Sequence, residues 1–207
     1  MDCINGTNSQ AEIGHNFAEF VSKFVSPPTI AILATVCFSL WSPIGLGSLY
    51  PSVSILLCFS LFALLPFLPV FYFYRKKVVS LYVSKKENRT PFFLIAIAAY
   101  SLAAVIFFAT GTTIMFLLAL GHTFVTMILM VVNRFWKVSV HSAGVAGPIF
   151  ALIFVFGLMV LPLSLIILLV SWSRIKLEEH TFKQTLVGTL ISIAVGIVVY
   201  PVLYPIV

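Results

Sequence analysis

Charge is what this sequence has least of. Only 9% of its 207 residues are Asp, Glu, Lys or Arg, while 61% are hydrophobic. A soluble domain carries about 25% charged residues to cover its surface. The shortage excludes a soluble enzyme, a nucleic-acid-binding domain and a disordered tail. Cysteine is scarce as well. Cys3, Cys37 and Cys58 form no close pair, so neither a disulfide framework nor a metal knuckle is readable. A cleavable secretory leader is not expected, because the first 28 residues hold Asp2, Glu12 and Glu19 against a single Lys23. Apart from His122, no acidic or basic side chain falls mid-membrane, which argues against an ion-coupled pump or a voltage sensor.

The apolar runs themselves dominate. They cover roughly 29–47, 52–74, 92–109, 112–132, 142–158, 160–172 and 183–204. About 20 apolar residues cross a bilayer as a helix, so the expected fold is all-α, a polytopic transmembrane bundle of six to seven spans. The stretch 142–172 sets the count. As one helix its 31 residues would run about 46 Å, well past a hydrocarbon core of about 30 Å. A break near Gly157 and Pro162 is expected instead.

The twelve basic residues support that break. With seven spans, Lys23, the 75–89 cluster, Arg134, Lys137, Arg174, Lys176 and Lys183 all fall on the side of the N-terminus. The connections after the first, third and fifth spans carry no charge. Excess Lys and Arg mark cytoplasmic loops, so the N-terminus and charged loops are expected in the cytoplasm, in a multi-pass protein of the cell membrane. The net charge of +6 is read the same way, and no nucleic-acid partner is expected. Ahead of the bundle (29–207), residues 1–28 form a separate segment. Ile13, Phe17, Phe20, Val21, Phe24 and Val25 recur at helical spacing, as in an amphipathic helix that lies in the membrane interface or covers neighbouring spans. His122 is the one histidine inside a run, expected as a neutral imidazole bonded across a helix interface.

Three charged loops follow even-numbered spans and share one face. They hold Lys85, Lys86 and Arg89; then Lys137, Ser139 and His141; then Arg174 and His180, leading to Gln184. Cations, a hydroxyl and two imidazoles at a membrane surface suit a phosphate group carried by a lipid. Ser139 or Ser142 is placed to cap the helix that follows the second loop. His180 and Gln184, four apart at a helix start, share a face, so the amide is placed to orient the ring.

These residues resemble the three motifs of the type 2 phosphatidic acid phosphatase superfamily. Ser173-Arg174, five residues and His180 match the third motif, with Gln184 where the family has Asp. Val138-Ser139-Val140-His141 keeps the Ser and His of the second. Of the first, Lys-six residues-Arg-Pro, Arg89 and Pro91 remain, with Thr90 between them and Lys85 and Lys86 closer than the family's Lys. The resemblance implies a metal-independent and cofactor-free hydrolase acting on a lipid phosphate or an isoprenoid diphosphate. It implies that His180 attacks phosphorus and His141 protonates the leaving oxygen. Arg89, Ser139 and Arg174, with a loop lysine, would hold the phosphoryl oxygens. A neutral Gln184 orients a ring without stabilising its positive charge. That leaves open an attenuated or non-catalytic lipid-phosphate-binding protein, and a small transporter is the alternative from another class.

Overall fold

The computed structural model describes residues 3–80 and 83–204, with side chains from residue 12 onward. Residues 1, 2, 81, 82 and 205–207 belong to the expected N-terminal segment, first charged loop and chain end, and lie outside the described residues. The described residues form helices and connecting turns, with no strand among them. The helices are α1 (Cys3–Phe24), α2 (Pro27–Trp41), α3 (Pro51–Arg75), α4 (Thr90–Ala109), α5 (Thr113–Phe135), α6 (Val140–Phe156), α7 (Leu158–Lys176) and α8 (Phe182–Leu203).

The protein is therefore an all-helical bundle of the membrane-spanning class. Helices α3, α4, α5, α7 and α8 are each long and apolar enough to cross a bilayer, and the α1–α2 pair, bent by 50°, makes a sixth when taken as one broken crossing. Its outer wall is apolar. Val105, Phe108, Leu168 and Val198 are each more than 60% exposed, a surface that suits lipid and not water. The apolar α6, 17 residues and about 25 Å long, is the central element: it touches α2, α5, α7 and α8. Small residues allow that. Gly144 sits so close to Pro27 that an added Cβ would come within 2.6 Å of the proline ring.

The boundaries follow local chemistry. Helix α2 ends at Trp41, short of the expected 47, because Pro43, Gly45 and Gly47 open the chain into a connection. That connection is pinned at the uncharged end, where Ser48 N donates to Thr110 O at 3.0 Å and Thr112 Oγ1 to Leu46 O at 2.8 Å. In α3 a π-turn over Phe59–Leu64 precedes Pro66, and Pro69 follows. Prolines lack the N–H that a regular helix would use there.

The chain does reverse inside 142–172. Gly157 adopts φ +76°, a backbone state that glycine reaches at no steric cost. A 3-10 turn over Leu158–Ser164 carrying Pro162 then starts α7. The hydroxyl of Ser171 donates to Ser142 Oγ at 3.2 Å. One continuous helix would hold those residues, 29 apart, about 43 Å away from each other. The hairpin brings the Arg174 loop to the same end as the His141 loop.

Helix α1 lies against α7, with the Phe17 and Trp172 rings 5.9 Å apart. Its inward stripe is Ala18, Val21 and Ser22, all fully or almost fully buried, whereas Ile13, Phe17, Phe20 and Phe24 are more than half exposed. Val21 thus departs from the single stripe expected for it. Ala18, Val21 and Ser22 make the buried contact, Phe17 packs at its rim against Trp172, and Phe20 and Phe24 turn outward.

Candidate functional site

The three charged connections meet at one end of the bundle, and each pair of them is joined directly. Arg89 links the first to the second: its Nε donates to Val83 O at 2.8 Å, and its Nη1 to Val138 O at 3.0 Å and Asn133 Oδ1 at 3.3 Å. Ser84 Oγ links the first to the third by donating to Glu179 Oε1 at 2.9 Å. Ser139 N links the second to the start of α8 by donating to Gln184 O at 3.1 Å.

The third loop is shaped by a tight helix end. Glu178 takes φ +56°, the left-handed cap conformation, at a cost of about 1 kcal/mol for a residue with a Cβ. The turn lets both Glu179 N and His180 N donate to Arg174 O, at 3.1 and 3.2 Å. His180 is thereby folded back over Arg174 and is 6% exposed. Thr181 then caps α8, in a capping box whose return partner is Gln184.

Gln184 has two tasks. Its Oε1 accepts from Thr181 N at 3.3 Å and from His180 Nδ1 at 2.9 Å. The backbone donor identifies the amide oxygen, so the imidazole carries its proton on Nδ1 and keeps the lone pair on Nε2. Burial first, then the charges of Arg89, Arg174 and Lys137, push His180 down to about 3, against the Gln184 hydrogen bond that favours the charged ring. His180 is a neutral imidazole with a free nitrogen at neutral pH.

Cations surround it. Arg174, at the end of α7, is 1% exposed, donates from Nη1 to Ser22 Oγ at 2.6 Å, and holds Nη2 3.7 Å from Glu179 Oε2. Lys137 Nζ approaches the same Glu179 oxygen at 4.0 Å. Burial, then the Arg174 charge, lowers Arg89 to about 10, so it stays charged at pH 7. Lys137 is lowered by burial first and by Arg89 next, with Glu179 opposing. Burial first, then the charges of Arg174, His180 and Arg89, holds His141, in the first turn of α6, well below the ordinary imidazole range. Glu179 and, at Arg89, Glu87 offset only part of the charge of the three cations, which leaves a positive field suited to an anion.

Of the residues expected from the sequence, His180, Gln184, His141, Arg174, Arg89, Ser139 and Lys137 come together here. Ser139 is the helix cap: its Oγ accepts from Ser142 N at 3.3 Å and lies 3.1 Å from Ser142 Oγ. Lys86 turns elsewhere and donates from Nζ to Phe135 O at 3.2 Å, holding the end of α5. Lys85 is exposed, and its backbone carbonyl accepts from Asn88 N. Glu179 acts on the cations and not on His180, which has Gln184 as its hydrogen-bond partner. Asn133 and Ser22 were not legible as site residues. Asn133 reads as the polar end of a span, although it accepts from Arg89 and donates to Lys86 O at 3.0 Å. Ser22 lies 152 positions from the arginine it meets.

Close packing holds the second loop against α8. A Cβ on Gly188 would come within 2.5 Å of Ser139 O, a backbone atom that cannot swing away. Alanine gains about 1 kcal/mol of helix propensity over glycine, while overpacking costs about 1–3 kcal/mol. Gly188→Ala is therefore expected to lower the thermal midpoint in detergent, and a raised midpoint would contradict the close approach.

A narrow cavity of about 70 Å³ lies inside the bundle between α2, α3, α4, α5, α6 and α8, and none of the site residues named above lines it. Pro27, Val140, Ala143 and Gly144 line it near the loops, and Tyr100, His122 and Phe62 line it deeper. His122 Nδ1 donates at 2.8 Å to Leu118 O, four residues back on its own helix, and not across a helix interface as expected. Its ring stacks on Phe62 at 5.1 Å and meets the edge of Tyr100 at 5.3 Å. No family model, curated protein or solved structure matches the chain.

Proposed function

We propose that this protein is an integral-membrane lipid phosphatase, a divergent member of the type 2 phosphatidic acid phosphatase superfamily. It hydrolyses a lipid phosphate or an isoprenoid diphosphate through a phospho-histidine. The observation that carries the reading is the neutral His180, aimed by Gln184 and set among Arg89, Lys137 and Arg174 with His141 close by. In the first step His180 Nε2 attacks phosphorus, the bond to the leaving oxygen breaks, and His141, which takes up a proton once the bound phosphate anion offsets the cations around it, gives that proton to the leaving oxygen. In the second step water attacks the phospho-histidine, His141 takes the water proton, and phosphate leaves from Nε2. The guanidinium groups and Lys137 stabilise the charge on the phosphoryl oxygens in both steps.

The cavity supports a tail in the bilayer with the headgroup at the loops. Val140, one residue before His141 on α6, is the lining residue that comes nearest the site in the chain, and the proposed headgroup position lies beyond that end of the cavity. Along α6 the cavity extends from Val140 to Pro148, about 12 Å. A narrow apolar cleft suits a single prenyl chain better than the paired chains of phosphatidate. The charge asymmetry of the loops supports a site at the cytoplasmic leaflet.

The test is phosphate release by purified protein from prenyl monophosphate, prenyl diphosphate and phosphatidate, in detergent with EDTA and then in sealed vesicles. Release from the prenyl substrates is expected, with those in the cytoplasm-equivalent leaflet consumed first. Oxyanion binding without release from any of them would favour a lipid-phosphate-binding protein without turnover. The neutral Gln184 is the observation in favour of that second reading.

A further inference from the structure

The proposed anion site ends in an arginine that is also held from outside the three loops. Arg174 Nη1 donates to Ser22 Oγ at 2.6 Å. Its Nη2 also lies 3.7 Å from Glu179, a carboxylate that faces Lys137 and Ser84 as well. Ser22 is fully buried and is the one polar residue on the inward stripe Ala18, Val21 and Ser22 of α1. The α1 backbone is itself fixed there. Val21 joins Ile30, Val145, Ile149 and Val170 in a small apolar cluster, and Pro27 and Pro28 set the exit into α2.

We infer that Ser22 is a positioning residue of the anion site, and that the N-terminal helix is a working part of that site. A guanidinium on a long side chain has many rotamers, and ordering it costs about 2 kcal/mol of entropy. A buried hydroxyl that binds Nη1 in advance removes part of that cost before the phosphate arrives. Ser22 holds one edge of the guanidinium, and Nη2 stays directed towards Glu179, the carboxylate that Lys137 also approaches. A phosphate entering between Arg174 and Lys137 meets a donor already aimed. Helix α1 delivers the hydroxyl while Phe20 and Phe24 face the lipid interface, so seating of this helix and readiness of the arginine are one event.

This inference rests on the anion-site reading, and the experiment separates the two. Orthovanadate, a phosphate mimic, is titrated against wild type, Ser22→Ala and Ser22→Thr in detergent, with thermal midpoints recorded in parallel. KM and kcat are measured on whichever prenyl phosphate the wild type hydrolyses. Hydrogen bonds to charged groups are strong enough that losing this one should weaken vanadate binding about tenfold. KM should rise by a similar factor with kcat changed less, and Ser22→Thr should restore both to within about threefold. Ser22→Ala that binds vanadate as wild type does would overturn the positioning role and leave the anion site standing. Wild type that binds no vanadate would overturn both. If Ser22→Ala does not fold, Ser22→Cys keeps the volume with a much weaker acceptor and decides in the same way.

Discussion

Replacing His180 by alanine abolishes phosphate release, with a loss of at least about 10³-fold expected, while vanadate binding falls far less. The argument starts from the loop. Glu178 in the left-handed region lets two successive N–H groups reach Arg174 O, and this sets the backbone of His180. Gln184 then sets the ring, and burial among cations keeps it neutral. A neutral ring with its proton on Nδ1 is the form that can attack phosphorus from Nε2. A chain without that nitrogen retains Arg89, Arg174 and Lys137, so it keeps most of its attraction for an oxyanion. The measurement pairs single-turnover phosphate release with a search for an acid-labile, base-stable phosphoryl adduct. Wild type should show the adduct and His180→Ala should not. Release that survives the substitution at more than a few per cent would remove His180 as nucleophile. Loss of vanadate binding to the same extent as turnover would reduce it to a binding residue.

The bundle was legible in the sequence because composition and helical length speak directly to a bilayer. The same physics located the least obvious feature, the reversal at Gly157, through where charge must fall. The first span was read too long because its apolar run continues past Trp41, although Pro43 and the glycines after it cannot hold a helix. At the site, residues within one loop were readable because spacing is local: His180 and Gln184 are one turn apart and do meet. Contacts between loops were not. Asn133 and Ser22 bind the two arginines across 44 and 152 positions, and nothing in their neighbourhoods announces it. Lys85 and Lys86 show the converse. Their charge drew them into the expected anion site, but Lys86 spends its ammonium on a helix end.

Gln184→Glu is expected to speed the reaction by ten- to a thousandfold, and Gln184→Leu to slow it by about 10²-fold or more. Glutamate and not aspartate is the informative change. The side chain must reach Nδ1 at the 2.9 Å seen for Gln184 Oε1, and aspartate is one methylene too short. Glutamate also preserves the capping box, which accepts either Glu or Gln at that position, so α8 keeps its start. What changes is the charge beside a ring that becomes cationic when it carries the phosphoryl group. An anion there stabilises the transition state in a way a neutral amide does not, and loss of an equivalent carboxylate in a serine hydrolase costs about 10⁴-fold. Leucine fills similar space and removes the acceptor, so the tautomer and the aim of the ring are both lost. The pH profile gives an independent reading. A carboxylate favours the protonated ring, so the His180 pKa rises from about 3. Attack needs the neutral ring, so activity is lost below that pKa, and the acid limb of kcat/KM in Gln184→Glu moves towards neutral pH relative to wild type. A rate increase with that shift makes Gln184 an attenuating residue in a working enzyme. A Gln184→Glu variant that folds, binds vanadate and still releases no phosphate from any substrate would leave a protein that holds lipid phosphates without cleaving them.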